Sequence, residues 1–222
     1  MYLCYFCGSP ATSKEHVPPK SFFPNVGEKD YRKNLIKVPS CDAHNSFKSK
    51  DDEYIRLLFV ALSTKINDGS NKDLFRIRDS VIRSMLRNIN LFPLLFRNTN
   101  PPISLTSGKI PEVPISSDYD FDRVIKFLEY VAKGIFFHKY KRIWSGNIDV
   151  IPHFLITDST PEDIREMSEK YMTVFTEVFS FGDNKDIFCF EIYEFNSGSS
   201  LKFSLDFCFY GELNVTCNFY YA

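Results

Sequence analysis

The sequence predicts an α+β fold that begins with a small metal-binding unit and ends with an antiparallel sheet. Cysteine and histidine residues form two short pairs within the first 44 positions. Apolar residues then recur at helical spacing through the middle of the chain. Near the end, three aromatic-rich runs are separated by Gly198 and Gly211, as expected for a meander of strands with packed helices.

The two ligand pairs, Cys4-x2-Cys7 and Cys41-x2-His44, have the same internal spacing. A structural zinc ion binds four thiolate or imidazole ligands in a tetrahedron. Gly8 supplies the backbone freedom that a tight turn after Cys7 needs. The alternatives are that the cysteines are simply buried or that they form a disulfide, which requires an oxidising compartment. We expect the four residues to bind one structural zinc ion.

A second group of polar residues, Glu15-His16 and Asn45, lies between and directly after the two pairs. Glu15 and Asn45 offer oxygen ligands, which suit a hard cation such as Mg²⁺ or Mn²⁺. His16 titrates near neutral pH and is a candidate general base. One base, one cation and nearby lysines are sufficient to hydrolyse a phosphodiester bond by a one-metal mechanism.

Residues 4–53 resemble the HNH endonucleases of the zinc-stabilised ββα-metal type. The segments Glu15-His16-Val17-Pro18-Pro19-Lys20 and Val38-Pro39-Ser40-Cys41 are similar to the EHV-x-PK and VP-x-C signatures of a bacterial subgroup. The resemblance implies that His16 is the general base and that Glu15 and Asn45 hold the catalytic cation.

The resemblance also implies that Asn34 hydrogen-bonds the loop backbone or orients His16, with Asn25 as a weaker candidate for this role. Glu15 stands where the family more often has aspartate, and His44 stands where it more often has cysteine. The implied function is a metal-dependent endonuclease acting on DNA, as a bacterial effector of defence or of mobile elements. A protein partner such as an ATPase subunit is implied as well.

Two other functions remain open at this point. The chain could be a zinc module that binds nucleic acid or protein without catalysis, although such a module needs none of Glu15, His16 and Asn45. It could also be a ribonuclease or a toxin, because one fold can accept different nucleic acids.

Charge is divided unevenly along the chain. Residues 1–100 hold 16 lysines and arginines against 10 acidic residues, whereas the remainder holds 11 against 18. A basic first half suits contact with phosphates, and the acidic second half is a solvated face or a contact for a protein partner or a second copy. The candidate nucleic-acid-binding residues are Lys14, Lys20, Lys48, Arg76, Arg83 and Arg87. A solvated helix face explains the three arginines equally well.

Helical periodicity predicts several elements. A helix follows residue 46 and continues to about residue 62; its acidic residues 51–53 either face solvent or support the metal site. Further helices are predicted at 72–90 and 120–140, and Thr160-Pro161 signals the start of a helix that extends to about residue 179.

Alternation and turn signals predict the strands and the domain limits. The predicted strands are 2–8, 15–17, 34–38, 148–156, 187–195, 201–210 and 213–220. The predicted domains are a nuclease unit at 1–66, a basic helical segment at 67–98, a linker at 99–118 and an α+β domain at 119–222.

Three cysteines, Cys189, Cys208 and Cys217, lie in strand-like runs outside the zinc pairs, and we expect them to be small buried apolar residues. No apolar run is long enough for a transmembrane helix, so no membrane association is expected. The first residues lack the pattern of a signal peptide, and we expect a cytoplasmic location.

Overall fold

The computed structural model describes residues 2–25, 30–45, 49–63, 72–87, 119–155, 177–181, 184–195 and 200–221. Within these residues the α+β prediction is confirmed, with three helices and two antiparallel sheets. The helices are α1 (Ser49–Leu62), α2 (Lys72–Arg87) and α3 (Phe121–Tyr140). The chain divides into two compact units, one of residues 1–4 and 9–127 and one of residues 5–8 and 128–222.

The first unit begins with a two-stranded antiparallel hairpin of β1 (Ser13–Val17) and β2 (Ile36–Ser40). The predicted strand at 2–8 is instead a turn closed by a bridge between Leu3 and Pro10. The strand predicted at 34–38 begins at Ile36 instead, because Asn34 has a φ of +56° and ends the preceding turn. A short 3₁₀ turn, Asp42–His44, connects the hairpin to α1. Strand, strand and helix therefore follow one another in chain order.

Helices α1 and α2 each bury part of the apolar stripe that their periodicity predicts, and polar contacts align them. Arg56 donates to Ser80 at 3.1 Å, and Ser84 donates to Glu53 at 2.6 Å. Asp51 forms an ion pair with Arg123 of α3 at 2.6 Å. At least two of the acidic residues 51–53 thus hold helices together.

An aromatic cluster forms part of the core of the first unit. Phe22 stacks on Phe127 with ring centroids 5.3 Å apart, and Phe59 meets Phe127 edge-on at 5.9 Å. Phe22 belongs to a 3₁₀ turn, Lys20–Phe22, within the segment 18–25 that follows β1. Burial of Phe22 therefore anchors this segment to the unit.

The second unit contains a five-stranded antiparallel sheet in the order β3-β7-β6-β5-β4. Its strands are β3 (Asn147–Pro152), β4 (Glu177–Phe181), β5 (Phe188–Glu194), β6 (Leu201–Phe209) and β7 (Leu213–Tyr220). The predicted meander is confirmed for β5, β6 and β7. The predicted strand at 148–156 ends at Pro152, and a 3₁₀ turn, His153–Leu155, follows.

One face of this sheet packs on the C-terminal half of α3. Phe136 of α3 is 2% exposed and lies against Phe203, Phe219 and Trp144, with ring centroids 5.1–5.6 Å apart. Aromatic pairs in such edge-to-face and stacked arrangements add stabilisation beyond the area that they bury. Several phenylalanines of the sequence are thus used here for core packing.

Two predictions for the second unit are wrong. Residues 177–179 were expected to end a helix, but they belong to β4, where Val178 and Phe179 pair with Tyr193 and Ile192. Branched and aromatic side chains favour a strand, and pairing with β5 decides the outcome. Of the three cysteines expected to be buried, only Cys217 is, whereas Cys189 and Cys208 are half-exposed on the other face of the sheet.

Two predictions lie outside the described residues: the start of the helix at 160 and the linker at 99–118. Among the helices that the structure does describe, none is both long enough and apolar enough to cross a membrane.

We expect Phe136→Ala to lower the free energy of unfolding by about 3–5 kcal/mol, because it removes a ring at the centre of the aromatic core and leaves a cavity. Phe121→Ala is the matched control, since Phe121 lies in the same helix but is 48% exposed. Its effect should stay within about 0.5 kcal/mol. Urea unfolding of both variants measures the difference, and equal losses of stability would contradict this account of the core.

Candidate functional site

The predicted ligands Cys4, Cys7, Cys41 and His44 converge. Their ligand atoms all lie within 4.8 Å of one another. Nδ1 of His44 lies 3.2 Å from the sulfur of Cys41 and 3.7 Å from that of Cys4. The edge of a zinc tetrahedron with Zn–S bonds of about 2.3 Å is about 3.8 Å, so these spacings fit a zinc ion. The cluster could therefore hold a metal such as zinc, with three cysteines and one histidine as ligands.

Two tight turns present the four ligands. In the first, the amide of Cys4 donates to the carbonyl of Ser9 at 2.7 Å, and Gly8 adopts a φ of +76° that favours glycine. In the second, the carbonyl of Cys41 accepts from the amide of His44 at 3.0 Å. Each two-residue spacer thus folds into a turn that directs both members of its pair to the same point.

The hairpin separates the two members of the Glu15-His16 dipeptide. Successive residues of a strand project to opposite faces. Glu15 is 5% exposed and faces the interior, as Val17 does, whereas His16 is half-buried on the outward face. On that face His16 is directly opposite Lys37 of β2, and Lys14 lies two residues along the same strand.

Cations surround His16. Burial lowers the pKa of His16, and the positive charges of Lys37, Lys20 and Arg32 lower it further. Arg32 is fixed in place, because its Nε and Nη2 atoms donate to the carbonyl of Phe23 at 3.2 and 3.1 Å. The imidazole of His16 is therefore held neutral at pH 7, within a positively charged part of the surface.

Asn45 lies beside the inward face of the hairpin. Its Nδ2 atom donates to Oγ of Ser13 at 2.8 Å, and Ser13 shares a strand with Glu15 two residues away. The hydrogen bond uses the amide nitrogen, so a cation would bind the amide oxygen, the atom type that Mg²⁺ prefers. A buried carboxylate such as that of Glu15 is stable only when paired, hydrogen-bonded or bound to a cation. Both residues thus offer oxygen atoms of the type that a hard cation binds.

Among the described residues, no larger set of ligands accompanies Glu15. In the part of the chain that the structure describes, the Cys4–Cys7–Cys41–His44 cluster is the one group of three or more His, Cys, Asp or Glu side chains close enough to share an ion. A second metal near Glu15 would therefore depend on few protein ligands, as is usual for Mg²⁺.

Asn34 and Asn25, the candidates for orienting His16 or for hydrogen-bonding the loop backbone, lie in the segment before β2. Asn34 is exposed and adopts the left-handed conformation, which asparagine tolerates better than most residues. Oδ1 of Asn25 accepts a hydrogen bond from Nη1 of Arg32 at 2.5 Å. Both residues therefore shape the segment that carries Arg32.

The predicted nucleic-acid-binding residues do not all gather around His16. Lys14 and Lys20 are exposed in the first unit, and Lys20 is close enough to affect His16. Arg76 forms an ion pair with Asp73 at 2.8 Å, and Arg83 is exposed on α2. Lys48 and the side chain of Arg87 lie outside the described residues. Lys37 is not among the predicted nucleic-acid-binding residues. It comes to lie opposite His16 through the register of β1 and β2.

No family model, curated protein or solved structure matches this chain. The residues described above and their geometry therefore carry the functional proposal.

We expect Cys41→Ser to lose bound zinc, because a hydroxyl is a poor substitute for a thiolate in a site of this kind. Metal analysis of the purified protein should find one zinc per chain in the unmodified protein and much less in the variant. Cys189→Ser removes a half-buried cysteine outside the cluster and should keep the metal. Full zinc content in Cys41→Ser would show that the cluster is not the zinc site.

Proposed function

We propose that this protein is a metal-dependent endonuclease of the HNH type that hydrolyses phosphodiester bonds in DNA. The observation that carries the proposal is the position of His16, half-buried on the outward face of the β1–β2 hairpin with Lys37, Lys20 and Arg32 around it. The order of strand, strand and helix, next to a possible zinc cluster, also supports the proposal of an HNH-type nuclease.

His16 acts as the general base in this proposal. A neutral imidazole takes the proton from a water molecule as the water attacks phosphorus, and such a base typically contributes about 10²–10⁴-fold to the rate. The surrounding cations hold the phosphate group at the same surface. The arrangement therefore combines the group that activates water with the charges that bind the substrate.

Glu15 and Asn45 are the residues that would hold the catalytic divalent cation. When bound, Mg²⁺ or Mn²⁺ would neutralise negative charge on the phosphate and on the leaving oxygen. Ser13 orients Asn45 through the 2.8 Å hydrogen bond, and burial restricts the carboxylate of Glu15. Glu15 and Ser13, the partner of Asn45, project to the inward face of β1, opposite to His16, so in this proposal the cation and the base approach the phosphate from different sides of the strand.

A second candidate is a zinc module that binds nucleic acid without cleaving it. The observation that favours it is the structural use of the asparagines, since Asn45 bonds Ser13 and Asn34 forms a turn. This candidate keeps the role of the cations around His16 but gives the imidazole no chemical task. Cleavage separates the two candidates.

We expect His16→Ala to reduce cleavage of supercoiled plasmid by about 10²–10⁴-fold, because the variant lacks the general base. Nicked and linear products are measured with Mg²⁺, with Mn²⁺ and with EDTA, for variants of equal zinc content. His138→Ala, which changes a histidine in α3, is the matched control and should cleave normally.

Two results would contradict the proposed function. One is undiminished cleavage by zinc-loaded His16→Ala protein. The other is intact plasmid after incubation of the unmodified protein with each metal, combined with salt-dependent binding to the same DNA, which would establish the non-catalytic module. Cleavage of RNA alone would retain the mechanism and change the substrate.

We expect Lys37→Ala to weaken DNA binding and to reduce the slope of log K against log salt concentration by about 1, the effect of losing one phosphate contact. Lys33→Ala is the matched control, because Lys33 is exposed in the turn before β2 and is not among the cations that act on His16. Binding is followed by fluorescence anisotropy at several salt concentrations. Equal slopes for both variants would exclude Lys37 from the interface.

A further inference from the structure

Two cysteines of the second unit form a directly opposed pair. Cys189 of β5 and Cys208 of β6 are partners in the antiparallel register. Directly opposed residues project to the same face of a sheet, with their Cβ atoms about 4.5–5.5 Å apart. Both side chains are half-exposed on the face opposite to the aromatic core, where Glu191 and Asp206 form the next pair along the strands.

The two thiols are in contact. A hydrogen bond with Cys208 lowers the pKa of Cys189 to about 7, and Lys185 acts in the same direction, whereas burial and Glu191 oppose the shift. The Cys208 sulfur also lies 3.7 Å from the carbonyl of Phe209, an alternative acceptor for its single proton. With a pKa near 7, about half of the Cys189 side chains are thiolate at neutral pH, far more than for an ordinary cysteine.

A small molecule can reach this pair. Both cysteines line an open cavity of about 370 Å³, whose wall also includes Lys185, Glu191 and His153. Cys217 offers a contrast within the same sheet. It is fully buried on the opposite face, and burial raises its pKa well above the usual range. The two faces therefore hold thiols of different reactivity.

A shared metal ion does not explain the pair. Within the described residues, no third His, Cys, Asp or Glu side chain lies close enough to these two thiols to complete a group of ligands. A disulfide does fit. Directly opposed strand residues have Cα atoms about 4.5–5.5 Å apart, within the range of about 4.4–6.8 Å that disulfides span.

We propose that Cys189 and Cys208 form a reversible disulfide by exchange with a low-molecular-weight disulfide such as oxidised glutathione. The Cys189 thiolate attacks one glutathione sulfur, which forms a mixed disulfide and releases one glutathione thiolate. Cys208 loses its proton and attacks the Cys189 sulfur, which closes the protein disulfide and releases the second glutathione thiolate. The two cysteines are oxidised, and one oxidised glutathione is reduced to two thiols.

The test uses the full-length, zinc-loaded protein in glutathione buffers of increasing oxidised fraction. Remaining thiols are blocked with N-ethylmaleimide, and peptides are mapped without reductant by mass spectrometry. We expect a crosslinked pair of peptides containing Cys189 and Cys208 that disappears on reduction. Cys217 should remain a thiol, and the zinc content should not change while this crosslink forms.

Two variants distinguish the attacking thiol from the resolving one. Cys208→Ser keeps a hydrogen-bond donor beside Cys189 but cannot close the disulfide, so a stable glutathione adduct should accumulate on Cys189. Cys189→Ser should lose the crosslink and acquire glutathione on Cys208 more slowly. Circular dichroism confirms that both variants are folded.

The proposal is overturned if the unmodified protein yields no crosslink between these two peptides at any buffer composition. It is also overturned if Cys217 or the zinc ligands oxidise before this pair does. Faster reaction of Cys208 in Cys189→Ser than of Cys189 in Cys208→Ser would reverse the assigned roles and so contradict the proposed sequence of attack.

Discussion

The alternation of side chains along antiparallel strands is the constraint on which both candidate sites depend. In the hairpin it directs Glu15 inward and His16 outward, so that one dipeptide serves two faces. In the five-stranded sheet it places Cys189 and Cys208 on one face and Cys217 on the other. A slip of one residue in either register would exchange these faces and separate the residues of the site. Burial of the apolar residues on one face prevents such a slip and so fixes the register.

Local spacing made part of the candidate site predictable. A C-x2-C or C-x2-H pair closes a turn by itself, and the sequence shows both the pairs and the glycine at position 8. The convergence of the four ligands could therefore be predicted before any tertiary contact was known. The surroundings of His16 could not, because Lys37 reaches it only through the pairing of β1 with β2. Arg32 depends in addition on hydrogen bonds to a carbonyl nine residues away.

The fold shows the same division between local and non-local information. Helix α3 and strands β5 to β7 have strong periodic patterns and appear where they were predicted. The prediction of helix for residues 177–179 is wrong because an aromatic and branched run can continue a helix or form a strand, and only pairing with β5 decides between them. Cys189 and Cys208 were misread for a related reason, since burial of a strand residue depends on its face, and residue type alone does not reveal the face.

The two groups of cysteines illustrate how ligand number decides the chemistry of sulfur. Cys4, Cys7 and Cys41 meet a histidine, and four donors within 4.8 Å can satisfy a zinc ion. A metal that binds these thiolates lowers their reactivity toward disulfides, because their electron pairs are already shared. Among the described residues, no third ligand lies close enough to Cys189 and Cys208 to form a metal site with them. In the part of the chain that the structure describes, a neighbouring thiol and a lysine stabilise the negative charge of a Cys189 thiolate, which leaves the sulfur nucleophilic. The same element could thus hold a metal in the first case, whereas disulfide exchange is the role that we propose in the second.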